Sequence, residues 1–159
     1  MLSPSDFFAA TGSAVAAPPT PNDPSTLQFE CPGFTVNAQA TGSSKLIFQL
    51  HHINESKPYV LWTETGAATT VTYTSVTPTP KSVTYPLNGT RRTAVSFDPF
   101  DFVYKATGWN VMYVPPSYGT PGLFLSVGQV TWTQFGPAYP SGGMTGPGKI
   151  TDICQVLAP

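Results

Sequence analysis

From Thr26 onward the chain repeats one unit: a short run of alternating apolar and polar side chains, closed by Gly, Pro, Asn or Asp. The runs are LQFEC (27–31), KLIFQL (45–50), YVLWTE (59–64), TTVTYTSV (69–76), SVTYPL (82–87), TAVSF (93–97), DFVY (101–104) and WNVMYV (109–114). Successive side chains of a strand point to opposite faces, so this alternation builds sheets with one dry and one wet face. Runs of this length, recurring roughly every 8–12 residues between turn residues, predict an all-β fold. The expectation is an antiparallel β-sandwich, jelly-roll-like or Ig-like, of seven to nine strands with little helix.

Composition agrees with that reading. The 159 residues include 18 Pro and 14 Gly, and only 9% are charged, against about 25% in an ordinary globular domain. Proline punctuates strands but cannot continue a ladder. A chain of this length builds one domain around one core. Its organisation reads as an arm or hinge over 1–25, a sandwich over 26–137, and a C-terminal loop and docking tail over 138–159. Pro18, Pro19, Pro21 and Pro24 favour an extended, semi-stiff spacer. The small residues Ala14, Val15 and Ala16 imitate a signal-peptidase site. No Lys or Arg precedes them and Pro4 and Asp6 interrupt the segment, so it reads as a leader.

Charge restricts the partners. The net charge is −1, with seven Lys and Arg in total. Arg91 and Arg92 are the only adjacent pair, and there is no basic arm to neutralise phosphates. Direct nucleic-acid binding is therefore not expected. No apolar run approaches the ~18 residues that span a bilayer, so no membrane span is expected either.

Residues able to do chemistry are few. His51 and His52 are adjacent, so on a regular strand they face opposite ways and cannot share one metal. Asp98 and Asp101 flank Pro99 in FDPFDF, where an aspartate before proline caps turn amides more simply than it pairs for glycoside chemistry. PSGGMTGPGK (140–149) lacks the hydroxyl residue after Lys149 that a phosphate loop requires. The reading is non-enzymatic, with no cofactor and no metal site. Cys31 and Cys154 either form a disulfide closing a long loop or remain buried thiols. Asn54 and Asn88 begin Asn-x-Ser/Thr sequons and are candidate glycosylation acceptors. Asn88-Gly89 also predicts a type I′ hairpin turn between the flanking strands. Trp62 and Trp109, both flanked by polar residues, are the candidates for stacking on a ligand.

Two segments near the end complete the pattern. In GTPGLFLSVGQVTWTQFGP (119–137), Leu123, Leu125 and Val127 share one parity, while Val130 and Trp132 share the other. A β-bulge at Gly128 would return both groups to the core side; the alternative is a strand covered on both faces. In KITDICQVLAP, Ile150, Ile153, Cys154 and Leu157 recur with helical spacing, which suits one or two helical turns or a last short strand.

The segment 119–137 resembles the final strand of β-sandwich coat proteins, or protruding domains, of small non-enveloped RNA viruses. There a Gly-rich turn leads into a long alternating strand that ends at proline. The low charge and the proline-rich hinge are similar in style, although the basic arm of such shells is missing. The resemblance implies a structural, self-assembling capsid protein of the virion, whose partners are copies of itself and a host-surface receptor or glycan. The competing expectation is an extracellular carbohydrate-binding or adhesion module.

Overall fold

The computed structural model describes residues 15–16, 18–51, 59–66, 68–97, 100–118, 120–133 and 144–159. The strands are β1 (Val15–Ala16), β2 (Thr20–Pro21), β3 (Leu27–Cys31), β4 (Phe34–Thr41), β5 (Ser43–His51), β6 (Tyr59–Thr65) and β7 (Thr70–Val76). They continue with β8 (Ser82–Pro86), β9 (Thr90–Phe97), β10 (Phe100–Thr107), β11 (Trp109–Val114), β12 (Gly122–Val127), β13 (Val130–Thr133) and β14 (Lys149–Asp152). A short helix, α1 (Ile153–Leu157), follows. The fold is all-β and sandwich-like, as the alternation predicts.

Among the described residues the strands form three antiparallel sheets. A seven-stranded sheet runs β1-β5-β6-β9-β10-β13, with β2 also on β5; a four-stranded sheet runs β3-β4-β7-β8; a three-stranded sheet runs β11-β12-β14. Within the proline-rich segment, Thr20 and Pro21 pair with Ser44 and Ser43. The strands outnumber the seven to nine expected because long strands are folded in the middle. The pairs β4/β5, β6/β7, β8/β9, β10/β11 and β12/β13 are each nearly continuous in sequence, and each has its halves in different sheets.

The folds align into a crease. Gly42, Gly108 and Gly128 occupy three of these junctions with φ of +88°, +73° and +94°, a region that side-chain-bearing residues rarely enter. Backbone bonds link one junction to the next: Gly66 N–H donates to Gly89 O at 3.2 Å, Gly89 N–H to Trp109 O at 3.0 Å, and Gly128 N–H to Gly108 O at 3.0 Å.

Two expectations change here. Gly128 is not a bulge: β12 ends there and β13 resumes in the seven-stranded sheet, so Leu123 and Trp132 enter different cores. A sharp bend that changes sheets solves the parity slip more completely than one extra residue, because both halves then find their own apolar layer. Asn88-Gly89 is not a type I′ hairpin either. β8 pairs with β7 while β9 pairs with β6 and β10, and Gly89 is absent from the positive-φ residues. Its missing Cβ serves close passage instead, since a Cβ there would lie 2.5 Å from Trp109 O. The tight glycine turn sits at Pro32-Gly33, where φ of +84° at Gly33 joins β3 to β4.

The crease also splits the sheet. β9 and β10 are paired from Phe97↔Phe100 to Thr90↔Thr107. Beyond the crease their continuations β8 and β11 are outer strands of separate sheets. Splitting lets those two arms close face to face. The larger core between them contains Val36, Ala38, Val71, Tyr73, Leu123, Leu125, Ile153 and Leu157, all buried. Phe29 meets Tyr113 edge-on at 4.9 Å across the gap, and Cys31 is joined to Cys154 by a disulfide. A second core holds Ala106, Met112, Val114, Val130 and Trp132 against the other face of β11 and β12. The three-stranded sheet is thus covered on both sides.

The C-terminal segment is both of the alternatives its spacing allowed. Lys149–Asp152 forms a strand on β12, and Ile153–Leu157 forms a helix whose Ile153, Cys154 and Leu157 are buried. Asp152 caps it, accepting from Gln155 N–H at 3.1 Å. No helix among the described residues is long and apolar enough to cross a membrane.

Candidate functional site

The fork in the sheet leaves a cavity of about 150 Å³. Its walls come from the ends of strands that diverge there: Glu64, Thr69, Leu87, Arg91, Trp109 and Asn110. Glu64 and Arg91 are cross-strand partners on β6 and β9, and Arg91 Nη2 donates to Glu64 Oε2. Both are about one-third exposed or more, at 32% and 41%, so solvent weakens the pair. Arg91 also lies over the Tyr104 ring at 5.8 Å, and its Nε is buried with no hydrogen-bond partner. Asn22 ties the segment before β3 to the crease, donating to Thr41 O and Thr69 Oγ1 at 3.0 Å each. Asn110 Nδ2 donates to Thr107 O at 2.9 Å. The site offers one aromatic wall and a ring of amide, hydroxyl and charged groups.

Trp109, named from sequence, lines this cavity, and its ring lies 6.2 Å from that of Tyr85. Trp62 stands in a different place. It faces the row Trp62, Thr93, Tyr104, Trp132 that crosses the seven-stranded sheet, with Phe102 at 6.3 Å and Tyr104 stacked on Trp132 at 5.2 Å. Trp132 is buried in that row, so it is an aromatic ladder anchored in the second core. The two stacking candidates therefore belong to separate surroundings.

Asn88 is exposed in the short link between β8 and β9. Asn54, His52 and Asp98 lie outside the described residues. His51 ends β5 opposite Tyr59, and Asp101 sits on β10 opposite Ser96. Among the described residues no three His, Cys, Asp or Glu are grouped to hold a metal. Burial, reinforced by neighbouring Tyr85, pushes the Tyr73 hydroxyl well above its ordinary range. That is a property of the larger core, and Tyr73 is not among the residues that line the cavity.

A second, larger groove of about 580 Å³ opens on the other face of the seven-stranded sheet. Arg92 and Lys105 line it with Thr90, Thr107, Gln129 and Thr131. Sequence singled out Arg91-Arg92 only as a dipeptide. Alternation sends Arg91 to the crease and Arg92 to this groove. That Lys105 stands opposite Arg92 depends on the β9/β10 register.

No known protein family, curated protein or solved structure matches this chain.

Proposed function

We propose that the protein is a structural subunit that assembles with copies of itself, as the coat or protruding domain of a viral capsid does. The observation that carries this reading is the outer face of the four-stranded sheet. Its cross-strand rows are Gln28-Asn37-Thr74-Ser82, Gln39-Thr72-Thr84 and Thr41-Thr70-Pro86, with Glu30-Thr35-Val76 at one end. Glu30 is the one charge in these rows. The polar side chains are already paired with each other: Thr72 with Thr84 at 2.9 Å, Thr74 with Ser82 at 2.8 Å, and Gln28 with Asn37 at 3.1 Å. Away from Glu30 at one end, covering such a face desolvates no charge and strands few donors, the condition met by the centre of protein interfaces. Val76, 49% exposed, adds apolar area on the same face. The disulfide suits a shell or surface protein that works outside the reducing cytosol; in this reading the protein resides in the virion.

Sedimentation of the full chain tests the proposal. Large uniform particles are expected, and Thr72→Lys with Thr74→Lys should return monomers whose far-UV circular dichroism is unchanged. A full-length chain that stays monomeric at high concentration overturns it. The second reading, an extracellular carbohydrate-binding module, is favoured by Trp109 beside the polar groups of the crease cavity. It leads if the chain is monomeric and Trp109 fluorescence responds to neutral saccharides.

A further inference from the structure

Lys105 and Arg92 are direct cross-strand partners on β10 and β9. Both are exposed, and among the described residues neither forms an ion pair. Like charges placed directly opposite destabilise a sheet. The remainder of their row, Ala16, Ile47, Thr63 and Thr131, contains no carboxylate to offset them. In a chain with 15 charged residues among 159, seven of them basic and eight acidic, two cations juxtaposed without a counter-ion call for a ligand that supplies one.

The surroundings define that ligand. Opposed side chains on neighbouring strands start about 5 Å apart, so one group that offers several oxygens can bridge the Arg92 fork and the Lys105 ammonium. Around them the groove presents hydroxyls and an amide: Thr90, Thr107, Thr131 and Gln129. Its wall is fixed by Thr131 and Thr145, which exchange two backbone bonds at 2.8 Å. Gly146 packs there so closely that a Cβ would lie 2.6 Å from Gln129 O. A volume of about 580 Å³ is in the range of sites that enclose a small organic molecule, and far exceeds what a lone anion fills. Two cations are too few for the extended phosphate tracking that nucleic acid needs.

We infer that this groove binds a sulfated saccharide, with Arg92 and Lys105 holding the sulfate and the threonine-lined walls meeting the sugar hydroxyls. This inference stands apart from self-assembly, because the groove lies on a different sheet from the uncharged face. Titration calorimetry with a sulfated heparin-type disaccharide, its unsulfated counterpart and inorganic phosphate tests it. Only the sulfated disaccharide should bind measurably, and added salt should weaken it. Arg92→Gln and Lys105→Gln should each weaken binding roughly tenfold or more. Lys81→Gln, in the turn between β7 and β8, should leave it unchanged. Circular dichroism of each variant should match the parent. Equal binding of the unsulfated disaccharide, phosphate binding as tightly as the sulfated sugar, or affinity indifferent to both substitutions overturns the inference.

Discussion

Gly89 donates its backbone N–H to the carbonyl of Trp109 at 3.0 Å, and this bond spans the point where one sheet becomes two. A Cβ on Gly89 would stand 2.3 Å from Asn110 Nδ2 and 2.5 Å from Trp109 O. Backbone cannot move aside as a flexible side chain does. Gly89→Ala is therefore expected to cost about 1–3 kcal/mol in urea unfolding, with Gly89→Val worse. Gly33 offers the contrast: nothing lies within 4 Å of its Cβ position, but φ is +84°. Gly33→Ala should cost about 1 kcal/mol from backbone strain alone. Equal tolerance of Ala at both positions would contradict the close passage at the fork.

The bond from Cys31 to Cys154 joins residues 123 apart in sequence. It ties β3 of the four-stranded sheet to the helix that follows β14. Closing so long a loop in the unfolded chain is worth about 4–5 kcal/mol in the chain-entropy account. Thermal unfolding with and without reductant should show a large fall in Tm. The Cys31→Ser, Cys154→Ser double variant should reproduce that fall and be insensitive to reductant.

Tyr73 is buried with its hydroxyl pKa raised above the ordinary value of 10.0. The folded state keeps it protonated at pH values where the unfolded chain releases the proton. Its contribution is fully present below pH 10 and declines as pH rises further. Unfolding free energy measured against alkaline pH should fall less steeply for Tyr73→Phe than for the parent. Identical slopes would show that Tyr73 is not shielded from water.

Leu123 is wholly buried where β12 faces β3, β4 and β7 in the larger core. Leu123→Ala should cost about 2–5 kcal/mol through lost transfer energy and the cavity left behind. Asp152→Ala removes one helix cap and should cost about 1 kcal/mol. Since α1 and β12 pack together in the same core, the double variant should show coupling in a mutant cycle.

Much of the fold is local and was legible. A period of two in TTVTYTSV assigns Val71 and Tyr73 to one face and Thr70, Thr72 and Thr74 to the other, and the structure buries the first pair. The helical spacing of Ile153, Cys154 and Leu157 likewise named three buried residues. Polar neighbours around an aromatic made Trp109 a stacking candidate, and the structure places it in the wall of the crease cavity.

What pattern could not decide is how separate segments meet. Asn88-Gly89 has the chemistry of a hairpin turn, yet Gly89 serves an approach to Trp109, 20 residues away in sequence. Gly128 carries the parity slip in plain sight, but whether the chain bulges or changes sheets depends on the layer waiting for Trp132. The Glu64–Arg91 pair and the Arg92–Lys105 juxtaposition arise from register between strands, which no single segment encodes. Alternation determined on which face each side chain lies, because that is set by backbone geometry over two residues. Tertiary structure decided what each face meets, because sheets can close over their apolar sides only where backbones bend and pass closely enough, and at the crease glycine permits both.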